Sequence, residues 1–239
     1  MSYDSGNRWT ARATPLPQVG IDDGLRDYML RVYNYMGGGL VITGLVAYFA
    51  AASGFYVQIA HTPLMWVVMF APLAMVLLLS FRIQSMSLGA AQASFWVYAA
   101  LVGLSLAGIF LVYTGASIAR VFFITAATFL AMSLYGYTTR TDLSRFGSFL
   151  FMGLIGIVIA GLVNIFIGST AIQFAISVIG VAVFVGLTAW DTQRIKEMYW
   201  EGDADVVAGK KAIMGALALY LDFINLFILL MQFMGQRRD

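Results

Sequence analysis

The chain has 239 residues, of which 61% are hydrophobic and 11% charged, with a formal charge of +2 and a mean hydropathy of +0.84. Soluble domains carry about 25% charged residues, so this much apolar surface cannot be hidden in one soluble core of this length. The absence of cysteine excludes disulfides, thiol catalysis and thiolate metal sites. The basic residues are spread over loops, so no nucleic-acid partner is expected.

Residues 1–31 form a mixed-charge lead with Pro15 and Pro17, in which Asp22 is placed to cap a helix running into the first span. The lead has no early apolar core, so no cleavable signal is expected and the first span serves as an uncleaved anchor. Residues 32–81 carry no formal charge and break at His61-Thr62-Pro63. That stretch suits two spans of about 20 residues rather than one, at 34–59 and 64–81. Pro72 permits a kink in the second. The third and fourth spans fall at 88–113 and 118–137. After the polar loop Thr138 to Arg145 come two more, at 147–167 and 171–191, separated by Gly168-Ser169-Thr170. A polar linker, 192–211, leads to the seventh, at 212–234. The fold expected is an all-α, seven-helix membrane bundle over 32–236. Loops are short, no internal repeat or separate soluble domain is evident, and a monomer is expected.

Basic residues set the orientation. With the N-terminus inside, the cytoplasmic side collects Arg8, Arg12, Arg26, Arg31, Arg82, Arg140, Arg145, Arg194, Lys196, Lys210 and Lys211, against Arg120, Arg237 and Arg238 outside. A re-entrant last segment would bring Arg237 and Arg238 inside as well, but its length is enough to cross. Trp66, Trp190 and Trp200 fall near predicted interfaces. Gly156, Ala160 and Asn164 lie four apart on one face of span five, a spacing that lets helices approach closely and lets the Asn hydrogen-bond across.

Asp222 is the one charge in the apolar run from Ala212 to Gln236. On a straight helix it lies about 15 Å from the start of that run, near the midplane. An acid there defaults to a functional hypothesis, the alternative being a buried group that only fixes packing. Asn225, three residues on, shares its face. Asp191 ends the previous run and admits two readings: an interfacial acid paired with Arg194 or another base, or a partner for Asp222. The predicted span limits leave a depth gap of about 15 Å between the two acids. The gap closes if span six runs on through Ile195, Met198, Tyr199 and Trp200, with Arg194 and Lys196 snorkelling to the headgroups. Acids that meet cannot both ionise cheaply in a low dielectric, so they titrate as a unit and can share a proton. Two carboxylates, an Asn amide, helix carbonyls and water would also make a weak calcium site.

Arg82 ends span two, either as a topology marker or as a counter-charge for Asp191. His61, the one histidine, falls in an external turn. One external His and no Cys leave little from which to build an enzyme.

The stretch GLTAWDTQRIK, Gly186 to Lys196, resembles the signature of the Bax inhibitor-1 family, also called the transmembrane Bax inhibitor motif family. Ser133 to Phe166 (SLYGYTTRTDLSRFGSFLFMGLIGIVIAGLVNIF) and Leu219 to Phe227 (LYLDFINLF) resemble it too. The resemblance covers about residues 25–235, and the charged lead and QRRD tail resemble bacterial members. It implies a bundle with the last helix central and six around it, in a bacterial inner membrane. It also implies a pH-sensitive calcium leak, with calcium as the permeant ion and no tightly bound cofactor. In the family an aspartate pair from spans six and seven forms the sensor, and Asp191 and Asp222 match those positions. An arginine of span two holds the closed state, for which Arg82 is the candidate. Some bacterial relatives instead restrain a membrane-bound ATP-dependent protease, which makes a non-conducting regulator the alternative. The exposed lead and the long linker would suit that role.

Overall fold

A computed structural model describes residues 23–238. The lead's prolines and the capping position at Asp22 lie outside the described residues. Eight helices follow in order: α1 (Asp23–Ala52), α2 (Phe55–Ala60), α3 (Leu64–Arg82), α4 (Leu88–Val112), α5 (Gly115–Thr138), α6 (Ser144–Ile167), α7 (Thr170–Glu197) and α8 (Asp205–Met234). A single 3₁₀ turn, Ile83–Ser85, extends α3. All but α2 are long and apolar enough to cross a membrane. No strand occurs among the described residues. Seven spans and the all-α class therefore stand as read from the sequence.

Several boundaries differ from the hydropathy reading. The first span begins at Asp23 rather than 34, because its early turns already have a packed face. Tyr28, Met29 and Val32 are buried there while Arg26, Asp27 and Arg31 point outward. It also ends at Ala52. Gly54 adopts a left-handed conformation (φ 72°) that stops the helix, and α2 is a separate short piece. His61 caps α2 in the turn to α3.

α8 is the axis of the bundle. Of its most apolar stretch 72% is buried, against at most 33% for any other span. It packs against α1, α4, α5 and α7, whereas α3 packs on α4 and α6 on α7, one layer further out. The arrangement is thus four helices around one, with two outside, rather than six around one. Lipid supplies no hydrophobic force between helices, so close approach rests on small residues and polar ties. Gly209, Ala212, Gly215 and Ala216 are buried on α8. The Tyr220 hydroxyl lies 2.6 Å from Thr43 Oγ1 of α1, which donates to the carbonyl of Ala99 on α4 at 2.9 Å.

α8 crosses the full height of the bundle. At the face where α1 begins, Lys211 Nζ donates to Met198 O (3.0 Å) and pairs with Asp203 (2.5 Å), and Lys210 reaches Gln84 O beyond α3. At the opposite face, Gln173 near the start of α7 donates to Gln232 of α8. There the C-terminal tail docks on the α4–α5 turn, with Thr114 N donating to Gln236 O and Arg238 N to Val112 O.

The α7–α8 connection is short. The linker expected over 192–211 shrinks to residues 198–204, because α7 runs to Glu197 and α8 starts at Asp205. Lys211 closes this turn from within. Lys211→Ala leaves Asp203 and the Met198 carbonyl without that cation, so limited proteolysis should cut within 198–204 several-fold faster than in the wild type, as expected when a local tie of about 1 kcal/mol is lost.

Of the stripe of Gly156, Ala160 and Asn164, Gly156 meets no neighbour: among the described residues no atom lies within 4 Å of where its Cβ would stand. Ala160 packs on the core shared by α5, α7 and α8, and Asn164 hydrogen-bonds across to Gln173 of α7, as its place in the sequence suggests. Further along, α6 packs closely on α7. Gly147 and Gly186 carry that contact: side chains at these positions would run into Trp190 and Leu150.

Candidate functional site

α7 continues for six residues past Asp191, and this places the acid inside the bundle. Thr192, Gln193 and Ile195 are all buried there. The Gln193 amide fastens the turn to the α5–α6 loop, accepting from Leu143 N at 2.8 Å and donating to Thr141 O at 2.9 Å. The Lys211–Met198 tie sets the register of α7 against α8. From it, seven residues lead to Asp191 and eleven to Asp222, about 10 and 16 Å by helical rise. The remaining offset is small enough for the side chains to bridge.

Asp191 and Asp222 do meet, their carboxyl groups within hydrogen-bonding reach of one another. Asp222 is 4% exposed. Its Oδ2 is fully buried, and among the described residues no N–H or hydroxyl donor reaches it. Two ionised carboxylates have no hydrogen to share, so this contact becomes a hydrogen bond only when one of them carries a proton.

The pair sits on the wall of a cavity of about 530 Å³ between α6, α7 and α8. At about 30 Å³ per water the cavity has room for more than ten. Most of its wall is apolar, with Phe151 and Leu154 from α6 and Phe184, Leu187 and Trp190 from α7. The polar part is compact: Asp191, Arg194, Asp222 and Asn225. The Asn225 amide nitrogen donates to Leu221 O at 2.8 Å, which leaves its oxygen as the acceptor.

Arg194 is the base that acts on Asp191. Its guanidinium lies over the Trp190 ring, 5.3 Å from the centroid, so a cation–π contact holds it in place. One turn of helix thus carries the acid, its counter-charge and the ring beneath that charge. The sequence offers Arg194 as an interfacial partner for Asp191 or as a cation snorkelling to the headgroups; the Trp190–Arg194 spacing of four residues is the signal that it is anchored.

Two other expected residues stand elsewhere. Arg82 is exposed at the end of α3, a helix that packs on α4 at the outside of the bundle. It does not line the acid cavity, so the counter-charge role expected of it belongs to Arg194 here. Asn164 lies at the far end of α6. It accepts from Ser169 N at 3.0 Å and donates to Gln173 at 3.3 Å, which fixes the α6–α7 turn. Among the described residues no group of three or more His, Asp or Glu side chains gathers into a metal-binding cluster. The oxygens at hand for a cation are therefore two carboxyls, the Asn225 amide and backbone carbonyls. That is a sparse set for calcium, which takes six to eight, and it would need water to complete it.

Outside the spans, Asp142 at the head of α6 is held below the ordinary carboxylate range, first by the Ser144 hydroxyl and then by the Ser144 amide. Such a group supports the folded state at neutral pH and loses that contribution only as pH falls through its lowered value. It adds nothing to a response on the alkaline side.

The family described as the inhibitor of apoptosis-promoting Bax1 matches residues 25–239. The inner membrane protein YbhL of Escherichia coli is 50% identical over 219 residues, covering 90% of this chain and 94% of that protein. An uncharacterized protein of Rickettsia prowazekii is 52% identical, covering 91% and 93%. One of Caulobacter vibrioides is 44% identical over 98% of both chains.

Proposed function

The chain belongs to the Bax inhibitor-1 family, and on that premise we propose that it is a pH-sensitive calcium leak of the bacterial inner membrane, with its N-terminus in the cytoplasm. The name of the Escherichia coli relative supports the location. The observation that carries the leak is the contact of Asp222 with Asp191 beside a cavity large enough for a hydrated ion.

A proton held between the two carboxyls keeps them together and the site closed to a cation. Loss of that proton in an alkaline medium leaves two like charges in contact, which separate and turn their oxygens to the cavity. The set of ligands is too sparse to store calcium, and a site an ion can leave suits conduction. The test is calcium entry into liposomes holding the purified chain, scanned over pH. Flux rising with pH supports the proposal; flux equal to protein-free liposomes at every pH overturns it.

Arg194 supplies the sign of a further prediction. A cation beside Asp191 makes it easier for the pair to give up its proton. Arg194→Gln should therefore shift the rise in flux to more alkaline pH, read in the same assay. A shift the other way would assign Arg194 a different role. The alternative of a non-conducting regulator of a membrane-bound ATP-dependent protease rested on a long linker, which shrinks to 198–204, and on the N-terminal lead. Deleting residues 1–20 should leave the leak intact.

A further inference from the structure

We propose that the groove between α1 and α5, at the face where α1 begins, binds an anionic phospholipid. Both helices pack on α8, and the space between them is a groove of about 420 Å³. From Arg26 to Tyr33 it runs for about 10 Å along α1. Its sides are apolar: Met29 and Leu30 from α1, Leu130 and Leu134 from α5. The leucines are 45–63% exposed. Its inner end is closed by the Tyr33 hydroxyl, 2.5 Å from Ser133 Oγ, which lies 2.9 Å from Thr192 Oγ1 of α7.

Charge distinguishes this groove from an ordinary lipid-facing seam. Arg26 lies on its wall and forms no ion pair among the described residues. Lys196 stands at the same end, donating to Tyr137 O at 2.9 Å with its ammonium 5.2 Å from the Tyr137 ring centre. Asp27, next to Arg26 in sequence, lines a different groove, between α1 and α4. Two cations thus cap one end of an apolar channel set within two membrane-spanning helices. A phospholipid carries the matching pair of features, an acyl chain for the groove and a phosphate for the cations.

The test offers purified full-length protein equal amounts of phosphatidylglycerol and phosphatidylcholine of the same chain length and counts retained lipids by native mass spectrometry. Phosphatidylglycerol should be retained in preference, by about fivefold for each of the two cations. Arg26→Gln with Lys196→Gln should remove the preference, and Arg26→Lys should keep it. Leu130→Trp, which fills the groove, should lower retention of both lipids, while Arg120→Gln, away from this groove, should change nothing. Helical circular dichroism confirms that each variant is folded. Equal retention of the two lipids, a preference that survives in the double variant, or equal displacement by glycerol phosphate without acyl chains would overturn the proposal. A dimer in place of the lipid adduct would also overturn it, since the groove would then be covered by a second copy.

Discussion

Asp222→Asn should abolish the rise of calcium flux with pH. The amide keeps the size of the carboxyl and can donate permanently to Asp191, so the contact persists without a proton to lose. One proton sets a ceiling of about tenfold per pH unit on the wild-type response; the variant should stay flat across the same range. Asp191→Asn should do the same, and the double variant should add nothing, because the two residues act as one titrating unit. The Asn variants should keep wild-type helicity and elution. Their failure to conduct would then report the site rather than the fold. If either single variant retains the full pH response, the pair is not the sensor.

Gly136→Val should have the largest effect on stability. Gly136 is buried on α5, and a Cβ there would fall on the carbonyl oxygen of Ala189, with the Ala189 Cα 2.9 Å away. Backbone cannot swing aside as a flexible side chain can, so α5 and α7 must part. Overpacking of this kind costs about 1–3 kcal/mol or more. Ala189 stands two residues before Asp191, so the same displacement disturbs the acid pair. Gly136→Val should lower the thermal midpoint in detergent by several degrees and reduce the yield of monodisperse protein. Gly156→Val, which faces open space, should leave both nearly unchanged.

The two glycines show where sequence reading ran out. Both sit in long apolar helices, and the small-residue spacing drew attention to Gly156. Which face of a helix meets a neighbour depends on tertiary packing, and composition does not encode it. Arg82 failed for the same reason: it is polar and well placed along its helix, yet it is exposed at the end of α3 and does not line the acid cavity. The number of spans was legible because five long apolar runs, two of them long enough for two spans each, admit few other partitions. Their ends were less so, since hydropathy stops at a charge whereas a helix does not. α1 carries Asp23, Arg26, Asp27 and Arg31 on its outer side and remains helical. α7 carries Arg194 and Lys196 in its last turn, where cations suit the helix dipole. That last extension decides the site. It sinks Asp191 far enough to meet Asp222, and the apolar character of Ile195 was the hint within the sequence. Asp222 itself was legible as a lone carboxylate in an apolar run, because the cost of such a charge is independent of packing detail.

The claim that the pair holds a proton can be measured directly. Infrared difference spectra between acidic and alkaline buffer report the carbonyl stretch of a protonated carboxyl. The wild-type protein should lose one such band over the same pH range in which calcium flux rises. The band should be missing from both Asp191→Asn and Asp222→Asn. A wild-type protein that loses no protonated carboxyl across that range, or one whose band survives in either variant, would contradict the account.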